Sequence, residues 1–217
     1  MAKTLDGPRR PSASGRARSL VVLLHGYGAS GDDLIDLADM ISPDMPDTAF
    51  AAPHAVETMP YPGRTAYQWF PLTELEPAAL AAGSRSAAPA LDGFLAAELA
   101  RHNLQPSRLA LVGFSQGTMM ALQVGLRQAL APAAIVGLSG VIAGAETLKG
   151  EITCRPPVLL CHGAADEVIP AAALLLTREA LSDAGVPVEW HLQERLGHGI
   201  DEDVVDLMAS FLRQHLR

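Results

Sequence analysis

The sequence predicts an α/β fold: a mostly parallel central sheet with helices on both faces and no large cap domain. Three observations point to it. Six short runs rich in Val, Leu and Ala, at residues 20–24, 48–52, 108–113, 134–138, 157–161 and 186–192, read as strands buried on both faces. Most are separated by segments of helical periodicity, the alternation from which parallel sheets are built. At 217 residues the chain fits one such domain, because two halves would each have a poor ratio of core to surface.

Taken in order, the first 18 residues carry Lys3, Arg9, Arg10, Arg16 and Arg18 among prolines and serines. They are expected to form a solvated, mobile tail ahead of a single domain at residues 19–217. The strand at 20–24 ends in the polar loop His25-Gly26-Tyr27-Gly28. In the helix expected over 32–41, Leu34, Leu37, Ala38 and Ile41 share one face, and Ser30 and Asp33 supply a cap and a first-turn carboxylate. Residues 53–75 are rich in Pro and aromatics without clean periodicity, which suggests an irregular wall of a site. The strand at 108–113 runs into Gly113-Phe114-Ser115-Gln116-Gly117, and that at 157–161 into His162-Gly163-Ala164-Ala165-Asp166. The last strand leads to a loop carrying His198, and Val204, Leu207, Met208, Phe211 and Leu212 form the apolar face of a final helix. In an open parallel sheet the carboxyl ends of the strands lie along one edge, so these loops should converge there.

Composition narrows the function classes. The net charge is −8, and the first 18 residues hold five Lys and Arg against the single acid Asp6, so the remaining body is more acidic still and should repel nucleic-acid backbones. No apolar run approaches the roughly 18 residues needed to cross a bilayer, so stable membrane insertion is not expected. The apolar run at 20–24 is too short for a signal peptide, and a cytoplasmic location is expected. Cys154 and Cys161 are the only cysteines, and Cys161 lies inside an apolar run, where a thiol acts as a small core side chain. No C-x-x-C, H-E-x-x-H or clustered His/Cys spacing occurs, so neither a metal nor another cofactor is expected.

The chemistry starts at Ser115. G-x-S-x-G between a strand and a helix is a nucleophile elbow, in which the serine adopts a strained turn and its neighbours must be very small. A serine hydroxyl needs a base, and imidazole has the suitable pKa. His198 is the leading candidate, because Gly197 and Gly199 flank it and it follows the last strand. His25 and His162 precede glycines at strand ends and are expected to brace their loops instead. Asp166, on a loop after the serine and before the histidine, is the carboxylate best placed to orient His198, giving the order Ser, Asp, His. Its competing reading is a helix cap near Pro170; Asp201 and Asp203 lie too near His198 in the chain and suit a cap for the last helix. Two backbone N–H groups, of Gln116 and Tyr27, are expected to form the oxyanion hole.

With those residues in place the chain resembles the phospholipase/carboxylesterase family of α/β-hydrolases, which includes bacterial carboxylesterases and acyl-protein thioesterases. The resemblance runs through Leu23 to Gly28, Ala52-Pro53-His54-Ala55, Trp69-Phe70, the serine elbow, Leu138-Ser139-Gly140, Cys161-His162-Gly163 with Asp166 and Pro170, and Gly197-His198. It implies an α/β-hydrolase fold, a Ser115-His198-Asp166 triad and oxyanion donors at Tyr27 and Gln116. It also implies an acyl pocket drawing on Trp69, Phe70, Leu72, Val141 and Ile169, each of which could equally be core. Tyr27 and Gln116-Gly117-Thr118-Met119-Met120 look closer to bacterial carboxylesterases, which favours small carboxylic esters, with acyl-protein thioesters or lysophospholipids as the alternative. A ligand-binding protein without turnover is the remote alternative. The expected partner is a small-molecule ester, and a homodimer remains open.

Overall fold

The structure is a computed structural model, and it describes residues 4–73 and 76–216. Seven strands form the main sheet: β1 (Arg9–Arg10), β2 (Ser19–Leu24), β3 (Thr48–Ala51), β6 (Leu109–Phe114), β7 (Ala134–Leu138), β8 (Val158–Gly163) and β9 (Val188–Gln193), in the spatial order β1-β3-β2-β6-β7-β8-β9. All neighbours are parallel except β1 with β3. A separate hairpin, β4 (Glu57–Tyr61) with β5 (Arg64–Gln68), is antiparallel. The helices are α1 (Gly31–Ile41), α2 (Pro77–His102), α3 (Gln116–Gly125), the short α4 (Leu148–Glu151), α5 (Ala172–Asp183) and α6 (Glu202–His215).

The sheet divides the core in two, and strand alternation decides which residue goes where. Leu20, Val22, Leu24, Leu109, Leu111 and Leu160 face α2, α3 and α5. Val21, Leu23, Ala110, Val112, Leu159 and Cys161 face α1 and α6. Burial pushes the Cys161 thiol up to about 12, so it is an inert core side chain, and both cysteines are free. The start of α1 matches its sequence signals: Asp33 Oδ2 accepts from Ser30 N–H at 2.8 Å and from Ser30 Oγ at 2.9 Å.

Two expectations fail. The first concerns the N-terminal segment. Residues 1–3 lie outside the described part, but from Thr4 onward the chain is docked rather than mobile. Arg9 and Arg10 pair with Ala51 and Phe50 as an edge strand, Leu5 is buried, and Ala52 N–H donates to Pro8 O at 3.0 Å. Two of the arginines read as solvated have carboxylate partners, Arg9 with buried Glu98 at 2.8 Å and Arg10 with Asp39 at 2.9 Å. A two-residue strand between Pro8 and Pro11 has too little length for any periodic signal, and such short, Pro-flanked, charged strands are how sheet edges are closed. The second concerns β9, expected to be buried on both faces. It is the other sheet edge, and Trp190 and Leu192 are exposed, with Arg178 lying 5.3 Å over the Trp190 ring.

Candidate active site

Four loops leave the carboxyl ends of β2, β6, β8 and β9 on one edge of the sheet. Ser115 joins β6 to α3 with φ 55° and ψ −116°, a backbone region that costs an L-residue on the order of 1–3 kcal/mol. Its surroundings hold it there. A Cβ on Gly113 would lie 2.2 Å from Gly117 O, and one on Gly117 would lie 1.9 Å from Leu24 O, so neither position admits a side chain. Ser115 N–H donates to Leu138 O at 2.8 Å. Buried Thr118 Oγ1 reaches Gly113 O at 2.8 Å and Leu138 O at 3.0 Å, and accepts from Leu138 N–H at 3.0 Å. Thr118 thus ties β6, β7 and α3 together behind the serine, a role that nothing but its position in the chain announces.

Gln116 opens α3, so its N–H has no partner in the preceding turn of helix. Among the described residues, neither this group nor Tyr27 N–H donates to another protein group. The loop bearing Tyr27 abuts the serine, since a Cβ on Gly26 would stand 3.2 Å from Ser115 Cβ. That loop is fixed on every side. His25 Nε2 accepts from Ala55 N–H at 3.0 Å while Nδ1–H donates to Gly26 O at 2.8 Å, which sets its tautomer. Burial drives the His25 pKa down to about 4 against the opposing bond to Gly26. Trp69 Nε1–H donates to His25 O at 2.9 Å. Gly28 and Ala29 exchange backbone bonds of 2.9 Å with Tyr67 of the hairpin, and Arg64 donates to Gly28 O at 3.0 Å and to Asp33 at 2.9 Å. The hairpin replaces the irregular wall expected over residues 53–75, of which 74 and 75 lie outside the described part. Its signal was Pro62-Gly63, with Gly63 at φ 79°, between two five-residue strands.

On the other side, Asp166 Oδ2 lies 2.8 Å from His198 Nδ1, and Oδ1 accepts from Val168 and Ile169 N–H, both at 2.9 Å. Burial pushes the carboxyl up, but the bonds from His198, Ile169 and Val168 outweigh it and hold Asp166 below the usual carboxylate range. An ionised acceptor at Nδ1 leaves Nε2 of His198 as the basic nitrogen. The His198 ring packs 4.9 Å from that of Phe114, the residue before the serine. Asp201 does what its position suggested and caps α6, accepting from Val204 N–H at 3.0 Å. His162 braces its loop through Ile169 O at 2.9 Å.

The residues expected in the acyl pocket separate into two groups. Trp69 and Phe70 are core residues, gripped by the Gln116 side chain, which accepts from Trp69 N–H at 3.0 Å and donates to Phe70 O at 2.8 Å. Leu72, Val141 and Ile169 are half-buried at the margin of the same core. A cavity of about 690 Å³ lies at the opposite edge of the sheet, lined by Arg18, Asp44, Asp47, Arg108 and Arg213, where Arg213 is already paired with Asp44 at 3.0 Å. It is remote from the serine. Among the described residues no group of three or more His, Cys, Asp or Glu is arranged to hold a metal, and no helix is long and apolar enough to cross a membrane.

Residues 9–216 match the family model for phospholipases and carboxylesterases. The chain belongs to the phospholipase/carboxylesterase family. Its structure is similar to the crystal structure of esterase PE8, with a TM-score of 0.93 and 43% identity over 99% of this chain and 100% of that one. Esterase YpfH of Escherichia coli strain K12 is 26% identical over 198 residues, covering 91% of this chain and 83% of that protein. Acyl-protein thioesterase 1 of Saccharomyces cerevisiae is 24% identical over 226 residues, covering 98% and 99%. As a phospholipase/carboxylesterase family member the chain is a hydrolase of carboxylic esters, with a mostly parallel α/β-hydrolase sheet and no large cap.

Proposed function

We propose that this family member is a serine esterase of small carboxylic esters that works through an acyl-enzyme on Ser115. His198 Nε2 takes the Ser115 proton during attack and returns it to the leaving alcohol, and Asp166 orients the ring and offsets its charge. Tyr27 and Gln116 N–H groups receive the oxyanion of the tetrahedral intermediate. The observation that carries this reading is the 2.8 Å contact of a buried, ionised Asp166 with His198, set beside a serine at φ 55°. Preference for small acyl groups is supported by the commitment of Trp69 and Phe70 to the core, which leaves Leu72, Val141 and Ile169 to bound the acyl side. Two of the similar proteins are named esterases, which accords with oxygen-ester turnover.

The test is intact-protein mass after brief exposure to a fluorophosphonate, on wild type and Ser115→Ala. One adduct is expected on the wild type and none on the variant, with ester turnover in the variant lowered by at least about 10⁴-fold. A folded wild type that takes no adduct would overturn the acyl-enzyme. A panel of short- and long-chain esters and thioesters then decides substrate, and strong preference for long-chain thioesters would sink the small-ester assignment.

A further inference from the structure

A second histidine stands beside the Asp166 carboxylate. His162, in β8, is 1% exposed, so no substrate reaches it. Its Nε2 lies 2.9 Å from Ile169 O and 3.3 Å from Asp166 Oδ2. A carbonyl oxygen only accepts, so Nε2 carries the proton, and the ring is held in one tautomer. The turn 166–169 is therefore closed twice. Asp166 Oδ1 takes the N–H groups of Val168 and Ile169, and His162 takes the carbonyl of Ile169. What remains, Oδ2, is the oxygen that meets His198 Nδ1. The strand end carrying His162 also touches the His198 loop directly: Ala165 N–H donates to Leu196 O at 2.9 Å, and a Cβ on Gly163 would lie 2.3 Å from Gly197 O.

From this geometry we propose that His162 is a positioning residue for the Asp166–His198 pair. Its N–H fixes the carbonyl of Ile169, and through that turn the direction in which Oδ2 faces the catalytic imidazole. Without that bond the half-buried Ile169 O loses its donor, the turn relaxes, and Oδ2 withdraws from Nδ1. The proposal rests on the triad reading above, and it assigns His162 no contact with substrate or oxyanion.

The experiment compares kcat, KM and the pH dependence of kcat on a chromogenic acetate ester for wild type, His162→Gln, His162→Leu, His162→Met, Ser115→Ala and Asp166→Asn. Active sites are counted by fluorophosphonate labelling, so that a misfolded fraction is not read as slow chemistry. Displacements of about 1 Å in such supports cost up to about 100-fold, so His162→Leu should lower kcat by about 10- to 100-fold with little change in KM. Its ascending pH limb should move to lower pH, because the imidazolium loses carboxylate support. His162→Gln, whose amide can still donate to Ile169 O, should recover kcat and limb to near wild type. Should the Leu variant not fold, the Met variant carries the same comparison. An unchanged kcat and limb in the apolar variants, with turnover lost in Ser115→Ala and Asp166→Asn, overturns the role of His162 alone. An equal loss in His162→Gln with an unmoved limb also overturns it, in favour of packing. Turnover surviving in Ser115→Ala or Asp166→Asn overturns the triad and this role with it.

Discussion

On the β2–β6 side of the site, position is enforced by atoms in contact. Gly117 lies against Leu24 O, Gly113 against Gly117 O, and the Tyr27 loop is pinned by His25, Trp69, Tyr67 and Arg64 together. On the β8–β9 side the loop of residues 194–200 is half-buried or exposed, follows an edge strand, and carries Arg195 at φ 64°. There His198 is held by a carboxylate that is itself held by two N–H groups and a turn. Ser115 is thus placed mainly by steric exclusion, which has no soft direction, and the Tyr27 loop by several bonds in parallel, whereas the His198 ring is placed chiefly by hydrogen bonds in series, each of which can lengthen. Under the proposed mechanism this matches the work: the serine and oxyanion donors must not move during the reaction, while the imidazole must serve two oxygens in turn.

The largest effect should follow from adding one carbon to the contact-held side. Gly117→Ala puts a methyl group 1.9 Å from Leu24 O, where the neighbour is strand backbone rather than a flexible side chain. A destabilisation above about 3 kcal/mol is expected, with loss of fluorophosphonate labelling in whatever remains folded. Urea unfolding and labelling check it. A variant of wild-type stability that still labels would mean that the elbow has room to shift, and the contrast between the two sides would fail.

Acid should attack the same side through His25. Unfolded, this histidine titrates near its ordinary 6.5; folded, burial holds it at about 4. Between those values the unfolded chain binds the extra proton, so stability falls as pH falls. The contribution is fully present above about 6.5 and is lost by about 4, a span on the order of 3 kcal/mol. Protonation of Nε2 would also set two donors face to face at Ala55 N–H and loosen the loop bearing Tyr27. Urea midpoints of wild type and His25→Gln at pH 7 and 4.5 test this, and equal acid slopes in the two proteins would remove His25 as the cause.

The same contrast explains how much was legible in the sequence. Ser115 with Gly113 and Gly117 could be read directly, because steric demand at an elbow leaves only glycine and so writes itself into the residue types. Five of the six long strands could be read as well, since burial on both faces leaves continuous apolar runs. Hydrogen-bonded supports leave no such mark. The Gln116 side chain, Thr118 and Arg64 act through backbone atoms of residues distant in the chain, and any polar side chain of suitable length would look alike in sequence. Arg9 and Arg10 were misread for the same reason, because their partners Glu98, Asp36 and Asp39 become neighbours only when the strand docks. Burial of β9 was overestimated because a terminal strand in the sheet looks like an inner one until the strand order is known.

The smallest effect, and the sharpest probe of the softer side, is expected at Gln193. Its amide Nε2 donates to Asp201 at 2.7 Å and to Asp203 at 2.9 Å, and its Oε1 lies 2.9 Å from His191 Nε2. It thereby bridges the end of β9 to the start of α6, across the base of the loop that carries His198. Asp201 is held below the usual carboxylate range first by this bond. In Gln193→Ala the loop keeps Asp166 but loses this tether, and two carboxylates are left without their shared donor. A partly exposed bond of this kind contributes about 0.5–1.5 kcal/mol, so the melting temperature should fall only slightly. Under the proposed mechanism kcat should fall a few-fold with KM unchanged, because the imidazole spends less time in register with Ser115. If kcat in Gln193→Ala matches wild type, Asp166 and its turn alone hold the base. If it falls as far as in His162→Leu, the loop base rather than the carboxylate sets the position of His198, and the series of supports must be read in the opposite order.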